Sequence, residues 1–333
     1  MKRKGVIVTL LCLCLILSGC TTAGNGKRIV RISHGQSETH PEHLGLLAFQ
    51  EYIHERLGDR YEVQIFANEI LGSSQKAIEL TQTGAIDFVV SASANLETFA
   101  DIYEIFSIPY LFESEEAYYR TMQDEQVMEQ IYRSTDEAGF RVLTWYSAGT
   151  RNFYAKKPIR TPEDLKGLKI RVQQSPASVA MVQAFGAAAS PMSFGEVYTA
   201  IQQGVIDGAE NNELALTNNK HGEVAKYFVY NKHQMVPDLL VGNLEFLEGL
   251  SPAELEIFEQ AARLSTQVEL EEWEKQVETA KKIAVQEMGV KMEEVDVEAF
   301  AQKVLPLHEE MLKKNPDLRP IYELFRGMDK KEE

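Results

Sequence analysis

The chain has 333 residues, with 34 Lys+Arg against 50 Asp+Glu and a formal net charge of −16; 44% of its residues are apolar and 25% charged. This is an ordinary soluble composition, long enough for two domains at ~100–200 residues each, and an acidic total without a basic block excludes nucleic acid as a partner. The only cysteines, Cys12, Cys14 and Cys20, lie near the N-terminus, which excludes a disulfide scaffold, a cysteine nucleophile or a Cys-ligated metal in the body of the chain.

Lys2, Arg3 and Lys4 form a positive start, followed by an apolar run from Val6 to Leu17. That run is too short to span a bilayer, which takes ~20 residues. Its layout is that of a secretory signal. Leu17-Ser18-Gly19-Cys20 resembles the bacterial lipobox. The resemblance implies a lipoprotein signal peptide over 1–19, lipidation at Cys20 and a small polar tether over 20–27. The mature chain is then expected outside the cytoplasmic membrane, on its outer face or in a periplasm, held by a lipid anchor. Loss of the signal removes positive charges only, so the mature chain is more acidic still.

Arg28 to Ser33 reads as a strand, His43 to Leu57 as an amphipathic helix stopped by Gly58, and Tyr61 to Phe66 as an alternating strand. Ser73 or Ser74 can cap a helix through Thr83, ended by Gly84, and Ala85 to Val90 reads as a buried strand. This unit has an echo. Thr81-Gln-Thr-Gly-Ala-Ile-Asp87 is similar to Ile201-Gln-Gln-Gly-Val-Ile-Asp207, and each follows a serine-capped helix. Alternating helices and strands imply parallel sheet, and two copies of one unit suggest two α/β lobes. Arg141 to Tyr146 and Leu168 to Val172 read as further strands, with a short helical turn opening at Thr161. Ser251-Pro252-Ala253-Glu254 is a capping box with proline at the first helical position. From there neither glycine nor proline interrupts until about Met288, which predicts about 37 helical residues, or ~55 Å. Such a helix is long enough to brace both lobes. Val297 to Lys314 and Pro320 to Arg326 read as short closing helices.

The informative stretch for function is Gly149 to Asn212. Arg171 lies inside a strand between Ile170 and Val172. Strand neighbours face opposite sides, so Arg171 points away from the face those two bury, either into solvent or into a cleft that takes an anion. Arginine suits the second role, because its planar fork pairs with a carboxylate through two parallel hydrogen bonds. In a chain this acidic an anion site needs local, fixed positive charge.

The segments Gly149-Thr-Arg151, Asp164-Leu-Lys-Gly-Leu-Lys-Ile-Arg-Val172, Gly186, Pro191-Met-Ser-Phe-Gly-Glu-Val-Tyr198 and Gln203-Gly-Val-Ile-Asp-Gly-Ala-Glu-Asn211, in this order, resemble the DctP-type solute-binding proteins of TRAP (tripartite ATP-independent periplasmic) transporters. Leu71-Gly72, Gly84 with Asp87, Pro109-Tyr-Leu-Phe112, His233 and the long helix also fit, so the resemblance covers essentially the whole mature chain. It implies an α/β, two-lobed, periplasmic-binding-protein-like fold with a hinge and a long C-terminal brace helix. Lobe I would comprise 28–148 plus about 236–276, and lobe II 149–235 plus about 277–327. It further implies that Arg171 clamps a ligand carboxylate, that Arg151 and Asn211 lie by the same group, and that Phe194 packs on the ligand body. Glu210 would order the binding loop, and His233 would lie near the cleft. From the first lobe His34, Gln36, Ser74 and Ala92 match wall positions. Sialate-binding relatives carry acidic residues where Ser74 and Ala92 stand, which argues against sialate. Sugar acids such as uronates or aldonates are favoured, because His34-Gly-Gln36-Ser37 supplies groups suited to hydroxyls; C4-dicarboxylates come next. The implied partners are the small and large membrane subunits of the transporter, and no cofactor is implied.

Other readings have less support. No Gly-x-Ser-x-Gly elbow, HExxH or P-loop occurs, so a secreted sugar-acting hydrolase would have to rest on carboxylates alone. His40-Pro-Glu-His43 places two histidines three apart, but zinc sites usually take three or four ligands, and both histidines are expected to be exposed. A binding protein of an ATP-driven importer would share the two-lobe plan but not these motifs. Trp145 and Trp273 are expected to pack in the core or hinge.

Overall fold

A computed structural model describes residues 26–328. The signal peptide and Cys20 lie outside the described residues. Among the described residues eleven strands, labelled here in chain order, form two sheets. The first sheet contains β1 (Arg28–Ser33), β2 (Tyr61–Phe66), β3 (Phe88–Ala92), β4 (Phe140–Tyr146) and β10 (Asp238–Asn243), in the order β2-β1-β3-β10-β4. The second contains β5 (Arg151–Ala155), β6 (Lys169–Val172), β7 (Ala188–Pro191), β8 (Gly208–Asn211), β9 (Tyr227–Gln234) and β11 (Lys291–Glu294), in the order β11-β9-β5-β8-β6-β7.

The sequence echo has a structural cause. In the first sheet β1 pairs in parallel with β2 and β3; in the second β6 pairs in parallel with β7 and β8. Both are β-α-β-α-β units with the first strand in the middle. In each, a glycine at positive φ ends the second helix, Gly84 at 73° and Gly204 at 76°, a backbone region that other residues rarely occupy. The aspartate three residues later then accepts a backbone N–H of the central strand. Asp87 accepts the Arg31 N–H at 2.8 Å, and Asp207 accepts the Lys169 N–H at 2.8 Å.

The chain passes between sheets three times, from β4 to β5 through 147–150, from β9 to β10 through 235–237, and from β10 to β11 by way of the long helix. The long helix Pro252–Gln286 has 35 residues and the predicted capping box at Ser251 and Glu254. At ~1.5 Å per residue it is ~52 Å long. Its first half packs on the helix Pro41–Leu57, where Gly45 admits the close approach: a Cβ there would stand 2.6 Å from the Ser265 carbonyl oxygen. Phe258, Ala261 and Ala262 join the core that contains Phe49 and Phe88. Near its other end Ala284 joins the core of the second sheet with Tyr154 and Phe228. One helix thus spans both sheets. The terminal helices contribute Met311, Leu312 and Phe325 to the large core around Tyr103, Phe106 and Phe140.

Candidate functional site

Between the two sheets lies a cleft that encloses about 660 Å³ of space, counting its open mouth. Adjacent strands build one wall. In the second sheet β8 lies between β5 and β6, which brings Arg151, the Glu210–Asn211 pair and Arg171 side by side. Arg171 is registered with Ala209, so by the two-residue alternation of a strand Asn211 lies on the same face.

The two arginines differ electrostatically. Arg151, 2% exposed, forks onto Glu210 with Nε 2.5 Å from Oε2 and Nη2 2.9 Å from Oε1. Its Nη2 also donates to the Glu210 carbonyl oxygen at 3.0 Å and its Nη1 to Asn211 Oδ1 at 3.3 Å. Burial pushes the Glu210 carboxyl up, but the Arg151 charge and the His233 and Arg151 hydrogen bonds outweigh it and hold the group down at about 2. Arg151 is therefore a neutralised cation. Arg171, 3% exposed, donates from Nε and Nη2 to one acceptor, the Met192 carbonyl oxygen, at 3.1 and 2.9 Å, and its guanidinium carbon lies 5.6 Å from the centre of the Phe194 ring. None of the ion pairs among the described residues includes it. Burial lowers its pKa, as expected for a charge without a counter-ion, since desolvation penalises the charged form.

Asn211 Oδ1 is filled by Arg151 Nη1, by the Asn212 N–H at 2.9 Å and by Asn212 Nδ2 at 3.1 Å. Its Nδ2 makes no hydrogen bond among the described residues and faces the cleft as a free donor. Arg171, Asn211 and Phe194 thus present a fork, an amide donor and a ring to one volume.

The other wall is built by Gln36 in the loop after β1, Glu42, Ser74 and Asn95 on three helices that follow first-sheet strands, Asp238 at the start of β10, and Trp273 on the long helix. Two carboxylates hold the walls together. Glu69 Oε2 accepts the Gly195 N–H at 3.0 Å. Glu97 accepts from Ser175 Oγ at 2.8 Å and the Ala177 N–H at 3.4 Å, at the N-terminus of the helix Pro176–Ala184. Burial raises Glu97 to about 7 against these hydrogen bonds.

Of the residues singled out from sequence, Arg171, Arg151, Asn211, Phe194, Gln36, Ser74 and Ala92 line the cleft. Glu210, His233 and His34 stand behind its surface. His233 stacks on Phe153 at 4.6 Å and lies 3.4 Å from Glu210, held by burial below its ordinary pKa. His34 turns towards His43, with Nε2 and Nδ1 2.9 Å apart. His40 is not exposed as expected. It is fully buried because it caps the helix Pro41–Leu57, its Nδ1 accepting the Glu42 N–H, with its ring edge-on to Trp273. Sequence reasoning missed Glu42, Asp238 and Trp273. Glu42 reads as an ordinary acid in a first helical turn. Asp238 did leave a signal, since an acid opening the apolar run Leu239-Leu240-Val241 needs a reason. Trp273 lines the cleft as well as packing on the hinge, where a Cβ on Gly149 (φ 59°) would meet its ring at 2.7 Å.

Residues 32–315 match the DctP family, described as bacterial extracellular solute-binding protein, family 7. The chain belongs to this family, the solute-binding proteins of TRAP transporters. Its fold is the family's two-lobed α/β fold, and family members are extracytoplasmic receptors that bind small carboxylates and work with membrane subunits. A TRAP periplasmic solute-binding protein of Anaerococcus prevotii, solved with bound D-glucuronate, is 49% identical with a TM-score of 0.90, covering 92% of this chain and 99% of that one. One from a Sulfitobacter species, solved with β-D-galacturonate, is 33% identical with a TM-score of 0.87, covering 90% and 100%. The 2,3-diketo-L-gulonate-binding periplasmic protein YiaO of Escherichia coli is 31% identical over 75% of each chain. No helix among the described residues is long and apolar enough to cross a membrane.

Proposed function

We propose that this TRAP receptor captures a sugar acid carrying one carboxylate, a hexuronate such as D-glucuronate or D-galacturonate in the first instance. The observation that carries the reading is the division of labour between the arginines: Arg151 is spent on Glu210, whereas Arg171 is buried at the cleft wall without an acidic partner. A carboxylate placed between Arg171 and Asn211 Nδ2 would supply the missing charge. Charge-assisted hydrogen bonds contribute ~1.5–3 kcal/mol each, so two or three supply much of the ~8 kcal/mol of a micromolar Kd. The far wall offers neutral and acidic groups rather than a second cation. That suits hydroxyls and disfavours the second carboxylate of a C4-dicarboxylate. The uronates bound by two similar structures and the diketogulonate named for a third relative support the same class.

In this reading Phe194 packs on the ligand body, and Gln36 and Ser74 meet its hydroxyls. Glu210 and His233 hold Arg151 in place, and His34 supports the far wall. The lobes, 28–148 plus about 236–276 and 149–235 plus about 277–327, close about the two short crossovers; hinge closure is the common motion of such receptors. Glu69 and Glu97 latch the closed form that the membrane subunits read. Cys20 carries the lipid anchor, and the chain acts as a receptor without turnover.

A thermal-shift panel of D-glucuronate, D-galacturonate, aldonates, C4-dicarboxylates and neutral glucose tests the proposal. Ligand at 100 times Kd adds ~2.7 kcal/mol of stability. A shift with uronates and none with glucose is expected; a shift with glucose alone would overturn the carboxylate clamp.

A further inference from the structure

Two polar atoms that are buried without a hydrogen-bond partner among the described residues line the cleft, Glu42 Oε1 and Gln173 Oε1. The first has His34 Nδ1 3.2 Å away. The second belongs to a side chain that the carboxylate clamp does not use. Gln173 is 7% exposed. Its Oε1 has no partner, and its Nε2 makes no hydrogen bond among the described residues. A buried amide left unpaired costs free energy, and nearly all buried polar groups have a partner.

The backbone fixes where this amide stands. Gln173 follows β6 directly, and a tight turn holds it there, the Ser175 N–H donating to the Gln173 carbonyl oxygen at 2.8 Å. Three alternate residues then act in line. Arg171 and Gln173 line the cleft, and Ser175 Oγ donates at 2.8 Å to Glu97 Oε1, which follows β3 of the first sheet. Gln173 therefore lies between the carboxylate fork and a bond that joins the two walls. Its side chain, by contrast, is held by no hydrogen bond. The terminal torsion of glutamine is broad, so a turn about it breaks nothing and presents either end of the amide to the cleft.

We propose that Gln173 is a specificity-determining residue of the cleft: its amide takes a ring hydroxyl of the ligand, remote from the carboxylate that Arg171 holds, and acids without that hydroxyl are rejected. The inference deepens the sugar-acid reading and rests on it for the identity of the ligand.

The chemistry and the spacing agree. An amide and a hydroxyl each donate and accept, so they are complementary without a charge on either. Residues two apart on a strand stand ~6.6 Å from each other, at ~3.3 Å per residue. The group read by Gln173 is therefore not the α-hydroxyl of a small hydroxy acid, which is adjacent to its carboxylate. A hydroxyl across a pyranuronate ring, at C2 or C3, fits that separation. The Ser175–Glu97 bond closes the seam beside the amide, so an acid lacking the hydroxyl leaves the amide buried and bare. Sites built to bond a hydroxyl reject the analogue without it, because their own polar group goes unpaired.

A mutant cycle on the whole protein tests the proposal. Wild type, Gln173→Met and Gln173→Leu are titrated calorimetrically with D-glucuronate and with its monodeoxy analogues, one hydroxyl removed at a time. Weak analogues are read by displacement of D-glucuronate. Gln173→Met should weaken D-glucuronate binding roughly tenfold to a hundredfold. Removing the C2 or C3 hydroxyl should weaken wild type to a similar extent and the variant hardly further, since the two changes delete one contact. Equal losses in both proteins at every position would overturn the proposal, and coupling confined to any other hydroxyl would overturn the placement. Gln173→Met removes no hydrogen bond from the ligand-free protein and nearly keeps its volume, so its melting point should hold. A large fall in both variants would make Gln173 a structural residue and overturn the proposal; if Gln173→Met alone is unstable, Gln173→Leu carries the cycle. A wild type that binds no sugar acid would overturn the sugar-acid reading itself, and the proposal with it, whereas binding without coupling overturns the proposal alone.

Discussion

Replacing Arg171 by methionine should abolish ligand capture while leaving the fold in place. The structure separates these effects. Arg171 makes two hydrogen bonds, both to the Met192 carbonyl oxygen, and has no ion pair among the described residues. In the ligand-free protein the substitution strands one carbonyl, at ~1–3 kcal/mol. It also relieves the burial of an unpaired cation, itself worth several kcal/mol. These oppose each other, so the ligand-free melting point should move little. In the complex the loss falls on the carboxylate. Two charge-assisted hydrogen bonds at ~1.5–3 kcal/mol each amount to roughly two to four decades in Kd, at ~1.4 kcal/mol per decade. Arg171→Lys keeps the charge but not the fork. A lysine turned to Met192 cannot also present two parallel donors to a ligand, so a loss of roughly one to two decades is expected. Calorimetric titration with D-glucuronate on the three proteins, paired with their ligand-free melting curves, measures both quantities. Binding by Arg171→Met within threefold of wild type would refute the clamp. A variant that melts far below wild type before ligand is added would mean that Arg171 is a structural residue.

Glu210→Gln leaves Arg151 as a second unpaired buried cation; breaking such a pair costs ~3–5 kcal/mol, and the urea midpoint should fall accordingly, whereas an unchanged midpoint would mean that the pair adds nothing. Burial lowers His34 to about 4 and His40 and His221 to about 3. Because these folded values lie below the ordinary 6.5, the stability they confer is complete above pH ~6.5 and is lost as pH falls from there towards 3, at no more than ~1.4 kcal/mol per pH unit per group. Urea unfolding between neutral and acid pH reads that slope, and a flat profile would contradict neutral burial. Glu42 has the opposite sign: its folded value of about 8 lies above the ordinary 4.5, so it favours folding least at high pH, and Glu42→Gln should flatten the decline between pH ~4.5 and 8. At Gly45 an added Cβ meets the Ser265 carbonyl at 2.6 Å, so Gly45→Ala must push two helices apart, at ~1–3 kcal/mol; thermal melting checks it.

Much of the fold was legible in local chemistry. The serine caps, the glycine stops before Ile-Asp and the Ser251 capping box marked element ends where the structure has them, because capping is satisfied within a few residues. The strand around Arg171 showed that its side chain leaves the face of Ile170 and Val172, since alternation is a property of one strand. The sequence could not say whether that face met solvent or a cleft, nor which arginine was already paired. The Arg151–Glu210 fork joins residues 59 apart and exists because β5 lies beside β8. Packing of the helix Pro41–Leu57 against the long helix put the capping ring of His40 against Trp273 rather than at the surface, and the fold brought Glu42 and Asp238, 196 positions apart in the chain, onto one wall of the cleft. By itself the sequence determined the capped helix ends, the glycine stops and that Arg171 leaves the face of Ile170 and Val172, because these follow from interactions within a few residues; it left β9 and β10 unread and placed β3 at 85–90 rather than Phe88–Ala92. Only the tertiary structure decided which of those charges are neutralised and which remain unpaired, because pairing and burial depend on the distance between segments that the sequence keeps far apart.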